Sequence, residues 1–134
     1  NKQKKLFLGN LNSKRDWGHA EDYVEAMWKI MQYKKPEDFV ICTGKQYSIK
    51  EFVNRTAKYL NLKIKWTGSG INQKAYLKDK CIIECKKKYF RPSEVDSLLG
   101  SYSKAKKKLN WKPTKNISLL IKDMVNYELN HMND

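Results

Sequence analysis

The sequence lacks any long apolar run. Its longest apolar stretches are about four residues, as over residues 39–42. These are far shorter than the roughly 20 residues that a membrane-spanning helix needs, and shorter than the apolar core of a signal peptide. We therefore expect a soluble, cytoplasmic protein with no membrane partner.

Cysteine is also scarce. The chain has 3 cysteines, an odd number without the regular spacing of a disulfide framework, which favours reduced thiols. Cys81 and Cys85 are four residues apart, but no histidine or further cysteine is near them, so we predict no metal site. A single histidine at the start of a helix, His19, is more often structural than catalytic.

Acidic residues are outnumbered, and arginine is rare among the basic ones. The net charge is +14, and of 28 basic residues only Arg15, Arg55 and Arg91 are arginine. A basic chain suits a nucleic-acid binder, but such proteins favour arginine for paired contacts to bases, and the lysines here are spread along the chain. We interpret the charge as a solvated surface and predict no nucleic-acid partner.

The remaining composition is typical of one globular domain, with 40% apolar and 31% charged residues in 134. Apolar spacing predicts helices over residues 17–32, with Asp16 as N-cap, and over residues 117–131. Ser48 and Glu51 form a capping box that predicts a helix over residues 49–60. Shorter helices are predicted over residues 93–99 and 103–109.

Strands are predicted where short apolar or alternating runs end in turn signals, over residues 6–8, 39–44, 63–67 and 81–85. Strands that alternate with helices indicate an α/β fold. Because only three or four short strands are visible, the sheet is expected to be incomplete, as in a piece of a larger protein.

Four sequence blocks carry a family resemblance. The first, over residues 8–28, reads LGNLNSKRDWGHAEDYVEAMW. The others are PEDFVICTG followed by Tyr47 and Ser48, then YFRPSEVD from residue 89, and SKAKKKLNWKP from residue 103. In this order they closely resemble the motifs of GDP-mannose 4,6-dehydratases, which belong to the nucleotide-sugar branch of the extended short-chain dehydrogenases/reductases. The resemblance implies the C-terminal, substrate-binding part of that fold, with an incomplete Rossmann sheet.

The resemblance also implies which residues contact a nucleotide sugar. Arginine can hold a diphosphate by paired, charge-assisted hydrogen bonds, and a carboxylate can accept from a ribose diol. The substrate-binding residues expected on this basis are Leu8, Gly9, Asn10 and Leu11 around the guanine, Arg15 and Arg91 on the diphosphate, and Glu94 on the ribose. Three alternatives stay open: a surface ion pair for either arginine, a favourable helix-dipole position for Glu94, and an ordinary strand-exit turn at Gly9.

The sequence contains no recognisable catalytic machinery of this family. The resemblance implies an NADP-dependent lyase that needs a phosphate-binding glycine loop and a Tyr-x-x-x-Lys pair. No such loop is present, and the three Tyr-x-x-x-Lys matches, at Tyr59, Tyr76 and Tyr102, lie outside the family context and are interpreted as accidental. We therefore expect residues 1–134 to be one nucleotide-sugar-binding part without catalytic or cofactor-binding residues, inactive alone, with NADP bound by an N-terminal Rossmann domain absent from this chain.

Three functional hypotheses follow. The first is the GDP-mannose-binding portion of a GDP-mannose 4,6-dehydratase, which forms GDP-4-keto-6-deoxymannose in deoxyhexose biosynthesis and is expected to be a homo-oligomer when complete. The second is the equivalent part of another nucleotide-sugar epimerase or dehydratase. The third is a basic nucleic-acid-binding module, whose affinity would fall steeply with salt. Residues 71–80 match the family poorly, and their role is not predicted.

Overall fold

The computed structural model describes residues 3–91, 93, 95 and 97–132. Within these residues the chain is a mixed α/β protein, as the sequence predicts. Its elements in chain order are β1 (Leu6–Leu8), β2 (Lys14–Asp16), α1 (Ala20–Gln32), β3 (Gln46–Ser48), α2 (Ile49–Tyr59), β4 (Ile64–Thr67), β5 (Lys74–Leu77), β6 (Lys80–Cys85), α3 (Ser103–Leu109) and α4 (Ile117–Asn130).

The chain divides into two compact units. The first consists of Asn1–Lys14 and Ser48–Ser97, and the second of Arg15–Tyr47 and Leu98–Asp134. The chain passes between them within β2, within β3 and after Ser97, and no glycine- or proline-rich linker marks these points in the sequence.

The first unit is built on a four-stranded sheet in the order β1-β6-β5-β4. β1 is parallel to β6, whereas the β6–β5 and β5–β4 pairs are antiparallel. The buried apolar side chains of this unit come from the sheet, from α2 and from the segment after β1: they are Leu11, Ala57, Ala75, Ile83 and Cys85.

The second unit is largely helical, with its core where α1 and α3 meet Trp111. Ala26, Ala105, Leu109 and Trp111 form one buried cluster. Small residues on both helices allow their backbones to approach closely. α4 contributes the buried Ile117 and Ile121, and its N-cap Asn116 accepts from the backbone N–H groups of Ser118 and Leu119.

The capping box predicted for α2 is confirmed. The Ser48 hydroxyl accepts from the Glu51 backbone N–H at 3.1 Å, and the Glu51 carboxylate accepts from the Ser48 backbone N–H at 2.7 Å. The helices predicted near residues 103–109 and 117–131 and the strands predicted near 6–8, 63–67 and 81–85 are also present. These elements have strong local signals.

Three predictions of secondary structure are wrong. Asp16 is not the N-cap of α1: the helix begins at Ala20, and His19 caps it by accepting from the Glu21 N–H at 3.2 Å. Residues 39–44 form no strand, because none of the described residues pairs with them as a neighbouring strand. The described residues of 93–99 form no helix, and Ser97 instead makes an isolated parallel bridge with Lys14.

The helices of the described part of the chain are too short or too polar to span a lipid bilayer.

Candidate functional site

The feature that positions the candidate site is the parallel pairing of β1 with β6. Leu8, the last residue of β1, lies opposite Cys85, the last residue of β6. Parallel strands end at the same edge of a sheet, and ligands of α/β proteins commonly bind beyond that edge. The segment after β1 and the segment after β6 therefore leave the sheet side by side, and the Lys86 backbone N–H donates to the Leu8 carbonyl oxygen at 2.9 Å.

Gly9 brings these two segments into contact. A Cβ atom at this position would lie 2.2 Å from the Tyr89 carbonyl oxygen and 2.8 Å from its carbonyl carbon. Those distances are much shorter than a van der Waals contact, so only glycine fits. The structure thus joins the turn proposed to frame the guanine to the segment that leads to Arg91.

Asn10 and Leu11 are held by the chain itself. The Asn10 side-chain oxygen accepts from the Asn12 backbone N–H at 3.0 Å, which closes a local turn. Leu11 is only 1% exposed, and its carbonyl oxygen accepts from the Lys50 N–H at 3.0 Å. The expected guanine contacts of Leu8, Gly9, Asn10 and Leu11 stay predictions, and the Leu11 side chain is a core residue.

The N-terminus of α2 is used to fix this turn. The Ile49 N–H donates to the Ser13 carbonyl at 3.2 Å, the Lys50 N–H to Leu11, and the Glu51 N–H to Ser48. The first three backbone donors of the helix, which would otherwise lack intrahelical partners, are thereby satisfied. They hold the turn in place instead of contacting an anion.

The three predicted charged contacts fall in different parts of the chain. Arg91 is exposed and belongs to the first unit, two residues after Tyr89, whose backbone contacts Gly9. Arg15 is half-buried in β2 and belongs to the second unit. Glu94 lies outside the described residues. The roles of all three on a ligand stay predictions.

Asp16, beside Arg15, fixes a glycine turn of the second unit. Its carboxylate accepts from the Thr43 N–H at 2.9 Å, the Thr43 hydroxyl at 2.7 Å and the Gly44 N–H at 2.8 Å. Gly44 has a φ of 71°, which favours glycine. Next to this turn is a cavity of about 160 Å³ whose walls include Trp17, Tyr47 and Tyr102.

Asp22 is a buried anchor that the sequence did not reveal. It is 3% exposed, and its carboxylate accepts from the Thr114 N–H at 3.0 Å, the Thr114 hydroxyl at 2.6 Å and the Lys115 N–H at 2.9 Å. Burial alone would raise the pKa of Asp22, but these hydrogen bonds lower it below its ordinary value. Asp22 therefore ties α1 to the loop before α4.

His19 is structural in this arrangement, as its position suggested. It is buried, its Nδ1 caps α1, and its Nε2 lies 3.3 Å from the Asp123 carboxylate. Both ring nitrogens are thus engaged within the second unit. The described residues also contain no group of three or more His, Cys, Asp or Glu side chains that could hold a metal ion.

A cluster of lysines surrounds Glu84 on the sheet of the first unit. The carboxylate lies 2.8 Å from the Lys5 ammonium, 3.0 Å from that of Lys86 and 3.8 Å from that of Lys74. Hydrogen bonds from Lys5 and Lys86 lower the pKa of Glu84 to about 2. The ammonium groups of Lys5 and Lys86 also lie 6.0 and 5.3 Å from the centre of the Phe7 ring.

Sequence comparisons identify relatives over nearly the whole chain. Residues 1–124 match the family model of GDP-mannose 4,6 dehydratase. The chain is 46% identical over 129 residues to the GDP-mannose 4,6 dehydratase of Dictyostelium discoideum and 46% identical over 127 residues to that of Homo sapiens. These alignments cover 95% and 93% of this chain but only 36% and 34% of the relatives, so the chain spans about a third of their length.

The structure resembles that of dTDP-glucose 4,6-dehydratase from Bacillus anthracis in complex with NAD. The TM-score is 0.73 at 19% identity, and the match covers 97% of this chain and 36% of that one. At this identity the likeness shows the fold alone: the chain has the fold of about a third of that protein.

Proposed function

The chain belongs to the GDP-mannose 4,6-dehydratase family, and from that premise we propose that it forms the nucleotide-sugar-binding part of such an enzyme. The observation that carries the proposal is the close approach of Gly9 to the Tyr89 backbone at the shared edge of β1 and β6. It places the turn that starts at Leu8 and the segment that ends at Arg91 beside one another within one unit. A nucleoside diphosphate could then contact both.

The proposed contacts follow from the chemistry of the ligand. The exposed Arg91 guanidinium would hold the diphosphate by paired hydrogen bonds, and Arg15 would add a second such contact. Backbone groups of the Leu8 to Leu11 turn would read the guanine edge, and Glu94 would accept from the ribose hydroxyls. GDP-mannose is the ligand that the family favours.

The complete enzyme is proposed to convert GDP-mannose to GDP-4-keto-6-deoxymannose as an NADP-dependent, cytoplasmic lyase and a homo-oligomer. The chemistry that bound NADP supplies is to carry a hydride between C4 and C6 of the hexose, around elimination of water across C5 and C6. This chain would bind and orient the nucleotide end, while the catalytic and NADP-binding residues belong to a Rossmann domain outside residues 1–134. The chain alone is therefore expected to be inactive.

Two features of the second unit support its packing against a further part of the complete enzyme. One face of α1 carries Val24, Met27, Trp28 and Met31, which are 61–80% exposed. The helix buries a different face, so this second apolar face has no cover among the described residues. Residues 39–44 have the composition of a buried strand but pair with no strand in the part of the chain that the structure describes. Because the relatives are about three times as long, we propose that the rest of the enzyme covers this face and pairs with residues 39–44.

The direct test is nucleotide binding by the 134-residue chain, measured by isothermal titration calorimetry with GDP and GDP-mannose. Arg91→Lys and Arg15→Lys should each weaken binding about tenfold, because a lysine cannot reproduce the paired contact of a guanidinium. Arg55→Lys, which changes the third arginine, is the matched control and should leave the affinity unchanged. Equal affinities for the wild type and all three variants would contradict the proposed site.

The same titrations separate the alternatives. Tighter binding of UDP or dTDP than of GDP would favour another nucleotide-sugar enzyme. The absence of nucleotide binding, together with RNA affinity that falls steeply with salt, would favour the nucleic-acid alternative. Turnover of GDP-mannose with NADP by residues 1–134 alone would show that the catalytic residues lie within this chain after all.

A further inference from the structure

The positive charge of the protein is concentrated in the first unit. Residues 1–14 and 48–97 contain 16 of the 28 basic residues but only 5 of the 14 acidic ones, which is a net charge of +11 out of +14. The second unit has 12 basic and 9 acidic residues and a net charge of only +3. The charge that looks evenly spread along the sequence is therefore uneven in the fold.

Four of these 16 basic residues lie on one face of the sheet, which we call the lysine face and define as Lys5, Lys65, Lys74 and Lys86. Lys74 is the register partner of Glu84, and both Lys5 and Lys86 reach the same carboxylate, so these three share a face. Lys65 is on that face as well, because β4 alternates and its Thr67 is the partner of Lys74. Glu84 is the only acidic residue in the four strands.

The lysine face adjoins the candidate nucleotide site. Phe7, whose ring has the ammonium groups of both Lys5 and Lys86 within about 6 Å of its centre, immediately precedes Leu8. Lys86 immediately follows β6, and its backbone N–H binds the Leu8 carbonyl. The ammonium groups of Lys5, Lys74 and Lys86 lie beside Glu84, and these three side chains are a third to nearly half exposed. They create a positive potential beside the site without pointing at one phosphate position.

We propose that the lysine face attracts the anionic nucleotide sugar from solution and raises its rate of association with the site beside Leu8 and Arg91. The inference rests on the proposed function, since it assumes that a nucleoside diphosphate binds there. Clusters of one charge sign raise the association rate of oppositely charged ligands by about 10- to 1000-fold, and salt weakens the effect. Charges at the rim of a site act mainly on the association rate, whereas groups in contact with the ligand act mainly on dissociation.

The test is stopped-flow fluorescence with N-methylanthraniloyl-GDP and the 134-residue chain at salt concentrations from low to high. We expect the association rate constant to fall at least fivefold as the Debye length shrinks from about 30 Å at 0.01 M salt to about 3 Å at 1 M. The dissociation rate constant should stay nearly constant. Lys74→Gln should slow association about twofold at low salt, and Glu84→Gln should accelerate it, because it removes the only negative charge of the face.

Lys122→Gln is the matched control, because it removes one positive charge from α4 of the second unit. It should change the low-salt association rate much less than Lys74→Gln does, and all variants should converge at high salt. If Glu84→Gln lowers the stability of the protein by removing ion pairs, Lys74→Gln still tests the proposal, because the Lys74 side chain is exposed.

The outcomes separate this inference from the proposed function. Binding with an association rate that does not depend on salt would overturn the inference and leave the proposed function in place. A Lys74→Gln variant that changes only the dissociation rate would also overturn it, because that result describes a direct contact. No binding of the labelled GDP at any salt concentration would overturn both.

Discussion

Replacing Gly9 by alanine is the sharpest test of the site, because the structure sets the size of the clash. The new Cβ would lie 2.2 Å from the Tyr89 carbonyl oxygen, so the two backbones must separate by about 1 Å to restore a normal contact. Neither partner is a flexible side chain that could rotate away. Overpacking of this kind costs about 3 kcal/mol. The separation should also weaken the hydrogen bond from the Lys86 N–H to the Leu8 carbonyl.

The matched control is Gly70→Ala in the same unit. Gly70 has no neighbouring atom within 4 Å of an added Cβ, but its φ of 51° is unfavourable for alanine. That backbone strain costs about 1 kcal/mol, part of which is offset by the lower entropy of the unfolded chain. The comparison therefore separates a backbone clash from a general glycine effect.

The assay combines urea unfolding with hydrogen exchange and nucleotide binding. Gly9→Ala should lower the free energy of unfolding by more than Gly70→Ala, accelerate exchange of the Lys86 amide, and weaken GDP binding. If Gly9→Ala destabilised the protein no more than Gly70→Ala, the close approach of the two segments would be refuted. If it destabilised the protein but left GDP affinity unchanged, the fold would stand and the proposed site would not.

Three further predictions concern anchors and charges. Asp22→Asn places an NH₂ group against the donors of Thr114 and Lys115 and should cost about 2 kcal/mol of stability at neutral pH. Folding lowers the pKa of Asp22. The ionised carboxylate therefore stabilises the folded protein fully above its unfolded pKa of about 3.9, and this stabilisation is lost as the pH falls through the lower pKa of the folded state. The advantage of the wild type over Asp22→Asn in urea unfolding should therefore shrink below pH 4. Ser48→Ala should lower the unfolding free energy by about 1 kcal/mol, as loss of an N-cap does, and a change near zero would contradict the capping box. An NMR titration of the Glu84 carboxyl should give a midpoint of about 2, and a midpoint near 4.5 would show that the lysines do not hold it.

The elements that could be predicted from the sequence are those fixed by neighbouring residues. The capping box at Ser48 and the alternation in β4 depend on residues within a few positions, and both are present. β2 and β3 are three-residue strands that pair across about 30 residues, so no local pattern reveals them. The sequence does not predict β5, because this strand follows a glycine-containing turn in a segment without a clear apolar pattern.

The face of α1 shows why apolar spacing alone does not identify the buried side. The apolar spacing that predicts this helix comes from Ala20, Tyr23, Val24, Met27, Trp28 and Met31, but the structure buries Ala26 and Asp22 and leaves Met31 80% exposed. The buried residues lie beside the apolar face and not on it, so spacing alone does not identify the side of the helix that meets the core of this chain. Burial of an aspartate is decided by donors that lie more than 90 residues away.

The candidate site was predictable only in part. The sequence singles out Gly9 as part of a turn expected to frame the guanine, but it does not predict that the Tyr89 backbone lies against this glycine. It could not show that Leu11 is buried or that the donors at the start of α2 hold the turn. These facts depend on how β1, β6 and α2 assemble, which is set by long-range pairing.

The long signature block around Arg15 is mainly a scaffold. The Asp16 carboxylate is occupied by Thr43 and Gly44, His19 by the α1 backbone and Asp123, and Asp22 by Thr114 and Lys115. Each of these side chains has its hydrogen-bonding atoms committed inside the second unit, which fits a buried polar group that must be satisfied. Likeness over this block therefore indicates a shared fold more strongly than a shared ligand, and evidence for the ligand has to come from Arg15, Arg91 and the turn at Gly9.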